Sequence, residues 1–310
     1  MGIKESRFGL GRAVLGSRAF LPISSQDYSH LCSAKVFVSE ALAFEEKYDL
    51  LVSNYLELEK TLNDIAADHL VYSDHSYQSM NDCRVLINQR VQNLLSACRL
   101  YLDHGAHHVS NMESAVPNLA AEFDALRRKQ YDENAGYRIG EALRNHSQHR
   151  GFPIAGLSSG GGWVSRPGAE EVLLHRIQIH IDMEELREGK RTKASVLEDI
   201  AKLGESADAR FVLREYVARL SALHQLMRTK LQDVLAEREV DIEAAIERFK
   251  LAFPEEQSVA GLAAVECDSD GNWINQSALF MGMIERRRHF LKRNQNLTNL
   301  KRWHVSSEPN

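Results

Sequence analysis

The sequence predicts a mostly α protein, an N-terminal helical bundle followed by a smaller helix-rich α+β module. Three observations carry that expectation. Apolar residues recur at spacings of three and four through the first half of the chain. A Gly/Ser-rich stretch, SSGGGWVSRPG, interrupts the pattern at 158–168. Beyond it, EVLLHRIQIHID alternates apolar and polar residues with the period of a strand.

Residues 1–37 carry Gly and Ser with no sustained period and read as an N-terminal extension. Phe44, Tyr48, Leu51, Tyr55, Leu58, Leu62 and Ile65 then place one stripe on a helix over about 39–67. Met80, Ile87, Val91, Leu94, Cys98 and Tyr101 mark a second helix, widened by Leu95 and Leu102, with Gly105 as its expected stop. Leu119, Phe123 and Leu126 define a third after Pro117, and a fourth over about 133–149 must end near Gly151 and Pro153. Four helices on short connections predict an up-and-down bundle over 38–155, with 156–169 as a linker. In the module 170–310, strands are expected at 172–182 and 261–268, and helices near 194–203, 208–250 and 276–298.

With 310 residues the chain can bury a sizeable core, and 44% hydrophobic with 26% charged residues is ordinary for a globular protein. A net charge of -5 means that any nucleic-acid contact needs a local basic patch. Cys32, Cys83, Cys98 and Cys267 are widely spaced, without CxxC or Cys/His pairing, which favours a reducing compartment. No apolar run approaches a membrane span, so a cytoplasmic protein without membrane contact is expected. The start matches the short Met-Gly-x-x-x-Ser myristoylation pattern and has the arginines of a transit peptide, but a mobile or loosely docked terminus is favoured.

The sharpest motif is Arg144-Asn145-His146-Ser147-Gln148-His149 at the end of the fourth helix. Arginine, a polar residue, three more and then histidine, in a helical bundle, resembles the HEPN ribonuclease superfamily over about 38–152. The resemblance implies metal-independent RNA cleavage at sites composed across a homodimer, with no cofactor. It implies that Arg144 stabilises the phosphorane, that His149 acts as general acid or base, and that Asn145 orients one of them. It also implies a toxin–antitoxin or phage-defence setting, with a regulatory protein partner possible. The residue types suit the chemistry. The attacking 2′-OH needs a proton acceptor partly neutral near pH 7, which imidazole supplies. A guanidinium fork meets the charge gained by the phosphate.

On an ideal helix residues five apart differ by about 140° in azimuth, so Arg144 and His149 do not share a face. They converge if the last turn unwinds before Gly151, or if each meets a second subunit. Gly136, Gly140, Arg144 and Ser147 form a narrow stripe that favours the second route, while Ile139, Ala142 and His146 face the core. The competing function is a non-catalytic helical scaffold, or a nucleotide-binding module without turnover, in which the motif is a helix end favoured by the dipole.

His104, His107 and His108 read as solvated imidazoles at a helix end, and His175 and His180 fall on opposite faces of a strand. No metal site is expected. His224 reads as a core or boundary histidine bracketed by Arg214 and Arg228. The most basic stretch, Glu285–Arg302, holds seven Lys/Arg against one acid. Within it Arg286, Arg287, Arg288, Lys292 and Arg293 are the candidate RNA contacts. The glycine-rich stretches lack the Lys-Ser/Thr of a phosphate loop, and no Gly-x-Ser-x-Gly, HExxH or kinase set occurs.

Overall fold

The computed structural model describes residues 7–165, 170–188, 192–204, 208–256, 258–303 and 305. The protein is mostly α with a small antiparallel sheet and a separate hairpin. The elements run β1 (Arg7–Arg12), β2 (Phe20–Pro22), α1 (Ser25–Tyr72), α2 (Tyr77–Asn111), α3 (Leu119–Glu133), α4 (Ala135–His149), β3 (Ile154–Val164) and β4 (Val172–Ile181). They continue with α5 (Met183–Glu188), α6 (Ala194–Lys202), α7 (Ala209–Ala252), β5 (Leu262–Cys267), β6 (Trp273–Ala278) and α8 (Met281–Arg293).

Two compact units share the chain without following its order. The first takes Met1–Glu46, Gly105–Glu122 and Met227–Gln295; the second takes Lys47–His104, Phe123–Leu226 and Asn296–Asn310. In the first, the sheet order is β2-β1-β5-β6, every pair antiparallel, with Leu10 opposite Ala264. Glu45 of α1 holds Arg228 of α7 by accepting from its Nε and Nη2, at 2.8 and 2.6 Å. In the second, Tyr48 and Tyr101 enclose His224, whose ring stacks on Tyr48 with centroids 3.9 Å apart. The Tyr48 hydroxyl donates to Ser221 Oγ at 2.8 Å, and the Nδ1 of His224 lies 3.3 Å from the hydroxyl of Tyr101. These groups are buried, as expected for His224. Arg214, on the same helix, is held by both oxygens of Glu59, at 2.7 and 2.8 Å.

The predicted stripes on α1 and α2 are the core: Tyr48, Leu51, Leu58, Ile87, Val91, Leu94 and Cys98 are all buried. Each such side chain contributes about 1.5–3 kcal/mol when taken from water. Several boundaries differ from expectation. Helix α1 begins at Ser25, because Ser24 Oγ accepts the Asp27 N–H at 3.0 Å in a capping arrangement and Leu31, Ala34 and Val38 extend the stripe. Gly105 does not stop α2. An interior glycine costs about 1 kcal/mol, and burial of Val109 on the next turn outweighs it.

The described part of the extension, residues 7–37, is not loosely docked either. Strand β1 lies between β2 and β5, and Gly9 and Gly11 leave room for the rings of Phe20 and Trp273. Residues 1–6, which carry the myristoylation pattern, lie outside the described residues. Residues 156–164 of the expected linker are strand, paired with β4 from Val164↔Val172 to Gly156↔His180. Residues 166–169 lie outside the described residues. The expected helix at 276–298 is shorter, since 273–278 pair with β5 as β6.

Candidate functional site

Helix α4 positions the motif, and its two sides do different work. Gly136, Tyr137, Ile139, Gly140, Leu143 and His146 are buried. A Cβ on Gly140 would stand 2.5 Å from Tyr216 Cγ, and one on Gly136 would stand 2.6 Å from Glu215 Cβ. Those atoms sit close to the α7 backbone and cannot swing aside. The glycine stripe therefore seats α4 against α7 of its own chain and is not a free face for a second copy. Tyr137 meets Tyr216 edge to face at 5.2 Å, and the Tyr216 hydroxyl donates to Glu141. Burial and the Glu141 carboxylate push the Tyr216 phenol well up, so it stays protonated and keeps donating.

The opposite side of α4 borders a cavity of about 400 Å³ whose lining includes Tyr131, Glu141, Asn145, His149, Arg150 and Lys193. Asn145 and His149 are one turn apart and enter it together, exposed. Lys193 lies 4.9 Å over the ring of Tyr131. Arg138 fixes the walls: its Nε donates to Asp199 Oδ2 of α6 at 2.7 Å, and its Nη1 donates to the carbonyls of Tyr131 and Asp132 at 2.8 and 2.6 Å. The hydrogen bond that Arg138 donates to the Asp199 carboxylate holds its pKa above the ordinary value, so this wall keeps its charge.

Arg144 is not in the cavity lining. Helix α4 stays helical through His149, and the Arg150 N–H still bonds to the His146 carbonyl at 2.9 Å. The unwinding that would bring Arg144 and His149 onto one face is absent. Arg144 Nη1 instead donates to Asn145 Oδ1 at 2.7 Å, and its buried Nε has no hydrogen-bond partner among the described residues. His146 is buried, with Nε2 3.0 Å from Glu185 Oε2 but outside hydrogen-bonding alignment. Ala142, expected to face the core, borders the cavity.

The basic segment of α8 is divided. Arg287 is buried and donates to Glu239 Oε1 at 2.6 Å; Arg288 reaches Glu239 Oε2 at 3.0 Å and Glu243 Oε1 at 2.9 Å. Two of the five expected RNA contacts are therefore held by α7 carboxylates. Arg286 lies 4.2 Å over the buried Phe290 ring, while Lys292 and Arg293 are exposed.

Sequence reading missed a second cavity of about 510 Å³ beside the first, with Arg99, Arg127, Arg128 and Tyr137 in its lining. Its cations come from α2, α3 and the residue before α6, and only Arg127 and Arg128 are neighbours along the chain.

Among the histidines, His108 Nδ1 meets Glu40 Oε2 at 2.7 Å. His180 and His175 occupy opposite faces of β4, beside Ser158 at 2.6 Å and Ser159 at 3.4 Å. Ser159 also bonds His69 Nδ1 at 2.7 Å. Among the described residues no group of three or more His, Cys, Asp or Glu side chains is placed to hold a metal ion. Nor is any helix among them long and apolar enough to cross a membrane.

No family model, curated protein or solved structure matches the chain.

Proposed function

We propose that the chain binds RNA in the groove beside α4 and cleaves it without a metal, as an endoribonuclease of HEPN type acting in the cytoplasm. One observation carries the reading: Asn145 and His149 share a groove with Arg150 and Lys193, so a proton acceptor and two cations face one space. His149 takes the proton of the ribose 2′-OH as that oxygen attacks phosphorus. The bond from phosphorus to the 5′-oxygen breaks, leaving a 2′,3′-cyclic phosphate, and the departing oxygen takes a proton from water or from a second copy. Arg150 and Lys193 meet the charge on the phosphate. Within one chain Arg144 acts through Asn145, whose amide oxygen it holds, as a positioning residue. A homodimer stays in the proposal because a second copy is the remaining way to bring an Arg144 to a His149. A toxin or defence role under a regulatory partner follows from the resemblance alone.

The test is cleavage of single-stranded and structured RNA in EDTA, with His149→Ala beside the parent. Loss of an acid–base group is expected to lower the rate by about 10²–10⁴-fold, with cyclic phosphate ends from the parent only. Equal rates from parent and variant would remove His149 from the chemistry.

A second reading has its own observation. Because α4 does not unwind, the groove is also suited to holding a phosphate without turnover. It predicts RNA or nucleotide affinity with no cleavage from any assembly state.

A further inference from the structure

The two cavities beside α4 follow one another along a single helix face. Tyr137 and Glu141 line one of them; Glu141, Asn145 and His149 line the other. These four residues are spaced by four, so they form one row along the helix. Tyr131, Glu141 and Lys193 border both cavities. Together the linings hold six cations, Arg99, Arg127, Arg128, Arg138, Arg150 and Lys193, against two acids, Asp132 and Glu141. That excess stands in a chain whose net charge is -5.

The cations are not equally available. Arg138 is held by Asp199, and Arg99 by Asp103 at 2.7 Å. Among the described residues Arg127 has one carboxylate partner, its helical neighbour Asp124, at 3.1 Å. Arg128, Arg150 and Lys193 are exposed and have no carboxylate partner among the described residues. Glu141 is engaged by the Tyr216 hydroxyl and lies 3.9 Å from Arg99 Nη1, which offsets its repulsion of an anion. Tyr131 supplies an aromatic surface between the cavities.

We infer that the second cavity is a substrate subsite, and that the row from Tyr137 to His149 is a track for single-stranded RNA leading from Arg128 to His149. The inference rests on the ribonuclease reading for the identity of its ligand. From residue 137 to 149 the helix rises about 18 Å. At about 3.4 Å per stacked nucleotide that is room for about five nucleotides. A linear array of separate cations with one aromatic platform suits a flexible strand, which stacks a base and lays successive phosphates along the row. Arg128 and Arg127 hold phosphate away from the reacting centre, and Lys193 follows the strand between the cavities.

The experiment measures binding of fluorescently labelled oligoadenylates of two to ten nucleotides at several salt concentrations, beside a duplex and a polyglutamate peptide. The proteins are the parent, Arg127→Ala/Arg128→Ala and Arg128→Glu, each checked for an unchanged thermal midpoint. Affinity is expected to rise with length to about five nucleotides and then level. The double variant is expected to bind about tenfold more weakly, with a salt slope shallower by about 1.4, two single-strand phosphate contacts. In cleavage it should raise KM more than it lowers kcat. Parent-like affinity and slope in both variants would overturn the track, as would tighter binding of the duplex or the peptide. The two readings fail separately. Length-dependent, Arg128-dependent binding without cleavage sinks the ribonuclease and leaves the track. His149-dependent cleavage with parent-like binding by the variants does the reverse.

Discussion

Two regions of this molecule look basic, one in the sequence and one only in space. Around α8 five cations lie within eight residues, 286 to 293. Yet Glu239 and Glu243, on the turns of α7 that face them, neutralise Arg287 and Arg288. Beside α4, cations from four segments collect around two cavities; Asp199, Asp103 and Asp124 hold Arg138, Arg99 and Arg127, while Arg128, Arg150 and Lys193 have no carboxylate partner among the described residues. A run of like charge at a helix end is what the dipole favours and what a neighbouring acidic helix consumes. Cations drawn together from distant segments and left without carboxylate partners, as Arg128, Arg150 and Lys193 are among the described residues, repel one another unless a ligand offsets them. The second arrangement is therefore the better mark of a site.

The contrast is broken most severely at Glu239. Its side chain is almost fully buried between Arg287 and Arg288, so Glu239→Ala strands a buried guanidinium. A loss of about 3–5 kcal/mol is expected, read from the urea midpoint. A parent-like midpoint would mean that α8 is held by its apolar side alone and that its arginines are free.

Gly140→Ala comes next. The new methyl would press on Tyr216 Cγ and Cβ, and overpacking of this kind costs about 1–3 kcal/mol. Because the stripe packs within the chain, the loss should be independent of protein concentration. A concentration-dependent loss would return the glycines to a subunit interface.

A smaller effect follows from His69. Burial, with His75 and His175 nearby, holds its pKa below the ordinary 6.5. The folded protein thus binds fewer protons than the unfolded chain. Stability from this group is complete above 6.5 and falls as pH drops from there through the lower folded value. His69→Gln should flatten stability over that acidic window while leaving it alone above pH 7. An unaltered pH profile would place the sensitivity elsewhere.

The smallest expected effect sharpens the comparison itself. Arg286→Ala/Lys292→Ala should leave affinity for single-stranded RNA within about twofold, while the Arg127/Arg128 variants lose it. Equal losses from both would make α8 part of the RNA surface.

The sequence by itself determined the central part of each long helix and the buried stripes of α1 and α2. Periodicity is a local property, and Tyr48, Val91 or Leu94 at three-and-four spacing has one way to leave water. It also located α4 and the end at which Asn145 and His149 stand. It did not reveal β1, because GLG shows no alternation of side chains, nor β3, because a run of glycines reads as a break until β4 lies beside it. Only the tertiary structure decided what each charge does. Glycine at 136 and 140 is equally suited to a dimer and to α7, and the close approach of Glu215 and Tyr216 chose α7. Arg144 was separated from His149 because the backbone kept its hydrogen bonds to the last turn. Arg99, Arg128 and Lys193 came together because α2, α3 and α6 meet around one helix, a proximity that no spacing along the chain encodes.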